Sequence, residues 1–520
     1  MADTATIPTL LQLAPSRFDN ISPAEQKLFE AATNGKDADC TSLSEKDRVI
    51  RGDLLSWLCK NRDASAQVTY RGVSIVGAQI EGELNLKWAK ISFPLQARMC
   101  VFKEAIILEN SHLVALIFLD TSIKDLRAED VIVERSVILR DGFKAEGAVN
   151  FVGATIGGHF ECDGGQFDFK GNAPALDANG VKVEGSVSLR TGFKAEGAVN
   201  FVGATIGGFL LCDGGQFNFK GDAPALGANR VKVEGSVSLR TGFKAEGAVN
   251  FVGAYVGRYF QWYGIQSPEN SILDLRFARV GTLLNEQASR LTAGKLRVDG
   301  FVYDQIDDDA SPNAEAQLSW LDRQPRNRFL SQPYEQLAAV LGKMGLEEDE
   351  RKVMIAKNKN KAAHLHWRPA WLWYGLLGKL IGYGYRPWRA FIISLILIGI
   401  GWLVFQLGYH SNLFIPTGDK AYVVEKDGTR RLKNGMPQIS EDYPKFNAFV
   451  YSMESFVPLV KMGISDRWTP NAHRGTSLRL GIATLPRTGS LLRYYLWFHM
   501  ITGWVLSALW VGGITGLVKT

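Results

Sequence analysis

Residues 141–190 recur without a gap as residues 191–240, and this 50-residue repeat limits the possible folds more than any other feature of the chain. The two copies differ only at positions 141, 159, 160, 161, 168, 172, 177 and 180 of the first. A third copy opens at Thr241 and fades after Ala254. A unit that tolerates being stacked on itself relies on its neighbours to complete its core, as a solenoid does. Within the unit, VKVEGSVSLRTG, FKAEGAVNFVGA and TIGGFLLCDGGQ each alternate apolar and polar residues, then close on a glycine-containing turn. Strands this short bury one face and build no core alone. Stacking at about 4.8 Å pairs their backbones and closes the core. The expected fold is therefore mainly β, a parallel β-helix over residues 67–305, with weaker coils on both sides of the repeats.

The stretch VNFVGATIGG at residues 149–158 resembles pentapeptide repeats, in which five-residue units form the sides of a square coil. That resemblance implies two coils per 50 residues, with an outward loop at residues 171–180. Phe151, Phe201 and Phe251 would then stack as an inward ladder, with Cys162 above Cys212. A cofactor or metal track is the alternative reading of these ladders. Core packing is favoured, because a free cysteine behaves as a small hydrophobe.

The flanks read as helical. SPAEQKLFEAA carries Ser22 as N-cap, Pro23 at the first helical position and Glu25 at the third, a capping box. A second helix is expected over residues 44–59, completing an N-terminal helical cap at 1–66 that covers the solenoid's open edge. After the solenoid, residues 306–363 form a linker and a helical hairpin turning near Gly345. Asp304, Asp307, Asp308 and Asp309 lack the spacing of a calcium loop and read as solvated linker.

Two stretches near the C-terminus change the class of protein. Residues 391–409 run without a charged residue, and 494–518 hold His499 as the sole titratable side chain apart from tyrosines. Each is long enough to cross the hydrocarbon core. Trp367, Trp371, Trp373 and Trp388 crowd the entrance to the first, in a basic and aromatic interfacial segment at 364–390. Nine lysines or arginines lie between Arg351 and Arg389, beginning with Arg351, Lys352, Lys357, Lys359 and Lys361. The net charge is a mild +6. Basic residues concentrated beside a membrane segment favour anionic lipid headgroups over nucleic acid. By the positive-inside rule both termini should be cytoplasmic. Cys40, Cys59, Cys100, Cys162 and Cys212 are an odd set without a C-x-x-C pair, consistent with reduced thiols in a cytosolic domain. The first twenty residues lack the pattern of a cleaved signal peptide.

Between the spans, the loop at 410–493 contains a helix-forming stretch at 446–463. A helix and turn placed there resemble the pore loop of two-transmembrane potassium channels, and Tyr451, Ser452, Ser455 and Phe456 are spaced like the start of a pore helix. Where that family carries a Thr-Val-Gly-Tyr-Gly-like strand, this chain has Val457-Pro458-Leu459-Val460-Lys461, which argues against potassium selectivity. A non-selective pore, a non-conducting relic and an interfacial amphipathic helix all remain open. Tyr451, Ser452, Glu454, Ser455, Pro458 and His499 are the candidate functional residues here. His499 is either a pore or proton-relay group or an interfacial histidine. His112, His159, His364, His366, His410 and His473 are scattered, and the pair at 364 and 366 reads as interfacial.

Residues 71–95, the GGQF, APAL and VKVEGSVSLR cassette, PYEQLAAVL and the GYRPWRA entrance occur in an order that resembles bacterial proteins labelled "membrane-associated oxidoreductase". The resemblance spans nearly the whole chain and implies redox activity. The residues themselves contain no G-x-G-x-x-G between strand and helix, no C-x-x-C, no haem-attachment sequence and no ligand-spaced His/Cys cluster. No catalytic residue, metal or cofactor is therefore expected. The leading expectation is a non-enzymatic membrane scaffold or sensor. Its cytoplasmic repeats would bind a protein partner or self-assemble into a homo-oligomer. The alternatives are a solenoid-gated pore, such as a depolarising phage-defence effector, and the redox enzyme.

Overall fold

The computed structural model describes residues 9–517 except 170, 172, 287, 288, 290, 308–312, 365–367, 419, 420, 426–428, 434, 435, 481 and 482. Asp308, Asp309, His366, Trp367 and the end of the second expected span at Val518 thus lie outside the described residues. The chain divides into two compact units, residues 1–354 and 355–520.

The first unit is built on a stack of short parallel strands, a parallel β-solenoid. One full coil runs through Ile132–Val133, Val137–Arg140, Lys144–Ala145 and Val149–Asn150, and the next begins at Thr155–Ile156. The first two sides of each coil belong to one 18-stranded sheet, while the third and fourth build nine- and ten-stranded sheets. Register pairs Thr155 with Lys182 and Lys182 with Thr205, steps of 27 and 23 residues (182 − 155 and 205 − 182). Each 50-residue repeat is thus two coils, one longer than the other. The extra residues lie between Phe167 and Ala175. The expected loop at 171–180 is shorter at its far end, because Ala175, Leu176 and Ala178 are buried as part of the fourth side.

Glycine holds the coils close at a repeating position. A Cβ on Gly157, Gly207 or Gly257 would come within 2.3 Å of the backbone oxygen of Glu134, Glu184 or Glu234 on the coil before. Inside, the layers are mainly apolar, and Val137, Leu139, Phe143, Ala145, Val149 and Phe151 are fully buried. The continuous aromatic column is Phe143, Phe167, Phe193, Phe217, Phe243 and Trp262, with centroid separations of 5.6, 5.3, 5.2, 5.3 and 6.0 Å. Phe151, Phe201 and Phe251 are also buried, but register places Ala178 and Ala228 between them, two coils to each step. Cys162 and Cys212 are likewise separated by Leu189. Bulk alternates with small side chains, which lets successive floors interdigitate.

Both ends are closed. The helix α1 (Pro23–Asn34) starts with the expected box: Glu25 N donates to Ser22 Oγ at 3.0 Å, and Ser22 N to Glu25 Oε2 at 3.0 Å. The buried Glu25 carboxylate also receives the backbone N–H and guanidinium of Arg51. The single helix expected over 44–59 is instead a 3-10 turn, a strand at Val49–Arg51 and α2 (Gly52–Lys60). The strand forms because Val49 and Ile50 extend the nine-stranded sheet beside Gln79–Glu81, where pairing outweighs helix propensity. At the other end lie α3 (Ala314–Leu321), α4 (Gln332–Lys343) and α5 (Glu347–Ala363). Gln332 and Gln336 donate to the carbonyls of Phe301 and Tyr303, while Gly300 N donates to Gln332 Oε1. These amides occupy backbone groups that a further coil would otherwise pair with.

In the second unit α6 (Arg368–Ile381) leads through a tight turn, with Tyr383 at φ 57°, into α7 (Trp388–His410). The short α8 (Ala448–Phe456) and the long α9 (Thr488–Ile514) follow. Three two-stranded antiparallel ribbons lie between α7 and α9. At 23 and 27 residues, α7 and α9 are long and apolar enough to cross a membrane, about 34 and 40 Å at 1.5 Å per residue. Only 22% and 28% of their most apolar windows are buried in the protein, unlike the core helices of a soluble fold. The second helix begins earlier than the uncharged run suggested, because residues 488–493 continue it, and it ends where Gly516 turns left-handed at φ 79°.

Candidate functional site

The helices α7, α8 and α9 of the second unit meet at one polar point. Asn447 caps α8 by accepting from Val450 N at 3.1 Å. The helix then ends at Phe456, short of the stretch expected to 463. Pro458 disfavours helical backbone at the residue before it, and Val457 is extended at φ −92°, ψ 113°. On the first turns of α8, Tyr451 is buried among Phe405, Phe414 and Phe446, with centroids 5.0, 5.3 and 5.4 Å away. The fully buried Ser452 donates from Oγ to the Ile398 carbonyl of α7 at 2.8 Å.

His499 of α9 completes the junction. Its Nε2 lies 3.2 Å from both Ser452 Oγ and the Ser452 carbonyl. A carbonyl only accepts, and Ser452 Oγ has already given its proton to Ile398, so the hydrogen of this pair belongs on His499 Nε2. The ring is walled by Phe405, Phe456 and Tyr495 and is 3% exposed. It sits three turns inside α9, counted from Thr488, rather than near the helix end, because α9 starts earlier than the uncharged run.

Two glycines make the junction possible. A Cβ on Gly401 would come within 2.3 Å of Ser452 Oγ and 2.6 Å of His499 Cε1. One on Gly503 would lie 1.9 Å from the Phe456 carbonyl oxygen. Sequence reasoning passed over both. The signal available was the enrichment of small residues where membrane helices pack closely.

Glu454, on the next face of α8, is turned back into the protein. Its two oxygens accept the backbone N–H groups of Met462, Gly463, Ile464 and Ser465 at 3.0, 2.8, 3.0 and 2.9 Å. One carboxylate therefore shapes the returning loop. Ser455 is buried beside it, and Pro458 opens the turn. Beyond Pro458, Leu459 is 94% and Met462 52% exposed.

Polar side chains bridge neighbouring coils of the solenoid at repeated positions. Asp163 accepts from Ser188 Oγ at 2.6 Å and from Arg190, and Asp213 repeats the pattern with Ser238 and Arg240 on the later copy. Among the described residues no group of three or more His, Cys, Asp or Glu side chains is arranged to hold a metal ion. No family model, curated protein or solved structure matches this chain.

Proposed function

We propose that the chain is a non-enzymatic, membrane-anchored β-solenoid whose lateral surface receives a protein partner. What carries this reading is the closure of both solenoid ends. With Val49 O, Asp39 O and Arg51 N taken up by Ser22, Lys27 and Glu25 of the helical cap, and the Phe301 and Tyr303 carbonyls by Gln332 and Gln336, edge pairing at these positions is blocked. The surface offered is then the side wall, and duplicating two coils lengthens that wall without altering the interior. The helices α7 and α9 anchor the protein in a bacterial inner membrane with both termini cytoplasmic, and the exposed basic residues between Arg351 and Arg389 rest against anionic headgroups. The test is membrane fractionation of the full-length protein. It should remain in the pellet after carbonate washing and enter the supernatant only with detergent, whereas release by salt alone would refute the anchor.

A specific observation supports a second reading, an ion-permeable pore. The α8 helix ends beside Ile398 and Gly503, both near the middle of the membrane-length helices, and the chain then turns back. A half-depth helix and return loop between two spans is the arrangement that brings backbone to the centre of a bilayer. Ion flux from liposomes containing the purified protein separates the two, since an anchor alone leaves them sealed. The oxidoreductase reading rests on the sequence resemblance alone.

A further inference from the structure

The return loop after α8 presents groups that hydrocarbon does not solvate. Ser452 is hydrogen-bonded at the middle of α7 and the Phe456 carbonyl lies against Gly503, so residues 457–463 turn at the depth of the helices' midpoints. Glu454 satisfies the N–H groups of residues 462–465. Among the described residues nothing donates to the carbonyls of residues 458–463, Leu459 stands 94% exposed, and the exposed Lys461 has no ion-pair partner. Non-helical backbone at membrane depth is stable only when covered by protein or facing a water-filled cavity, and a lysine there also needs water or a counter-charge. A single copy leaves Leu459 and Met462 of this loop uncovered. Every copy carries the same unsatisfied loop on the same face, so a closed ring of copies resolves all of them by one symmetric contact.

Resting on the pore reading, we propose that several copies of this chain assemble with their 457–463 loops facing a shared aqueous axis, ringed by Lys461 and selective for small anions. Glu454 is buried on the inner side of the loop, where both its oxygens accept backbone N–H groups, so the charge on the exposed side of the turn is that of Lys461. Rings of lysine or arginine favour anions in pores, so the loop that lacks a potassium filter acquires the opposite selectivity.

The experiment uses full-length protein. Leu459→Cys, oxidised in membranes, should form intermolecular disulfides, while Phe498→Cys on the lipid-facing side of α9 should not; the native cysteines are all buried and give little background. Reconstituted protein in a KCl gradient should reverse near the chloride equilibrium potential. K461R should keep that preference, K461Q should abolish it, and K461E should move the reversal potential toward that of potassium. Absence of Leu459→Cys cross-links overturns the assembly. Cross-links with a cation-selective current, or with a current indifferent to residue 461, overturn the Lys461 ring and leave the pore reading standing. Cross-links with no current overturn the aqueous axis and the pore reading together.

Discussion

The five cysteines show how burial governs chemistry residue by residue. All are buried and free, and desolvation pushes the Cys59 thiol up to about 12 and the Cys100 thiol to about 11, from 9.0. The neutral thiol is the unreactive form. In native protein a thiol reagent at pH 8 should therefore modify these residues at least tenfold more slowly than in denaturant, as read by mass spectrometry. The same shift sets a pH dependence. A folded-state pKa raised above the unfolded value gives stability that is complete below pH 9 and lost as pH climbs toward 11, because the unfolded thiols ionise first. Melting temperature should fall over that window, and less so in a Cys59→Ala/Cys100→Ala variant. At the polar junction, Gly401→Ala would force a methyl group into Ser452 and His499, and Gly503→Ala would force one into the Phe456 carbonyl. Overpacking of this kind costs about 1–3 kcal/mol. Both variants should melt earlier in detergent than Gly399→Ala, whose Cβ meets nothing within 4 Å.

At the level of elements, the two-coil repeat makes a sharp prediction. Deleting residues 191–240 removes two whole floors and joins ends already in register, since Lys182 and Lys232 are equivalent positions. The shortened protein should keep its circular dichroism per residue and elute as a folded species. Deleting residues 191–215 joins Arg190 directly to Gln216, the equivalent of Lys194 on the next coil, so the corner residues 191–193 are lost, the third side is three residues short of register and its inward set turns outward; that protein should aggregate. A folded product from the second deletion would contradict the register. The repeat, the solenoid and the capping box at Ser22 were legible in the sequence because each is a local periodicity or spacing. The ladder was misplaced for a physical reason. A period of 50 spans two floors, so residues 50 apart, such as Phe151 and Phe201, are next-but-one neighbours, and the true column joins Phe143 to Phe167. The strand at Val49–Arg51 was hidden because its partner, Gln79–Glu81, lies a coil away in sequence. The pairing of Ser452 with His499 was hidden for the same reason, the two being 47 positions apart.

For the molecule as a whole, orientation is the property on which both functional readings depend. A solenoid meeting a partner, or sensing one to control a pore, has to lie on the side where that partner is found. Basic residues cluster before α7, while the long segment between α7 and α9 counts little in setting topology. The proposed orientation has residues 1–354 in the cytoplasm and the ribbons of the intervening loop outside. Because every native thiol is buried, single introduced cysteines report on this cleanly. Tyr70, 85% exposed on the solenoid, and Asp442, exposed in the intervening loop, are suitable positions. In intact spheroplasts a membrane-impermeant maleimide should label Asp442→Cys and spare Tyr70→Cys, with both labelled after permeabilisation. The opposite pattern would put the repeats outside the cell, where thiols are oxidised rather than kept free, and would remove the cytoplasmic partner from either reading. Labelling of both sites without permeabilisation would mean that α7 and α9 do not cross the bilayer, and that their exposed faces of leucine, isoleucine, phenylalanine and tryptophan are covered by protein instead.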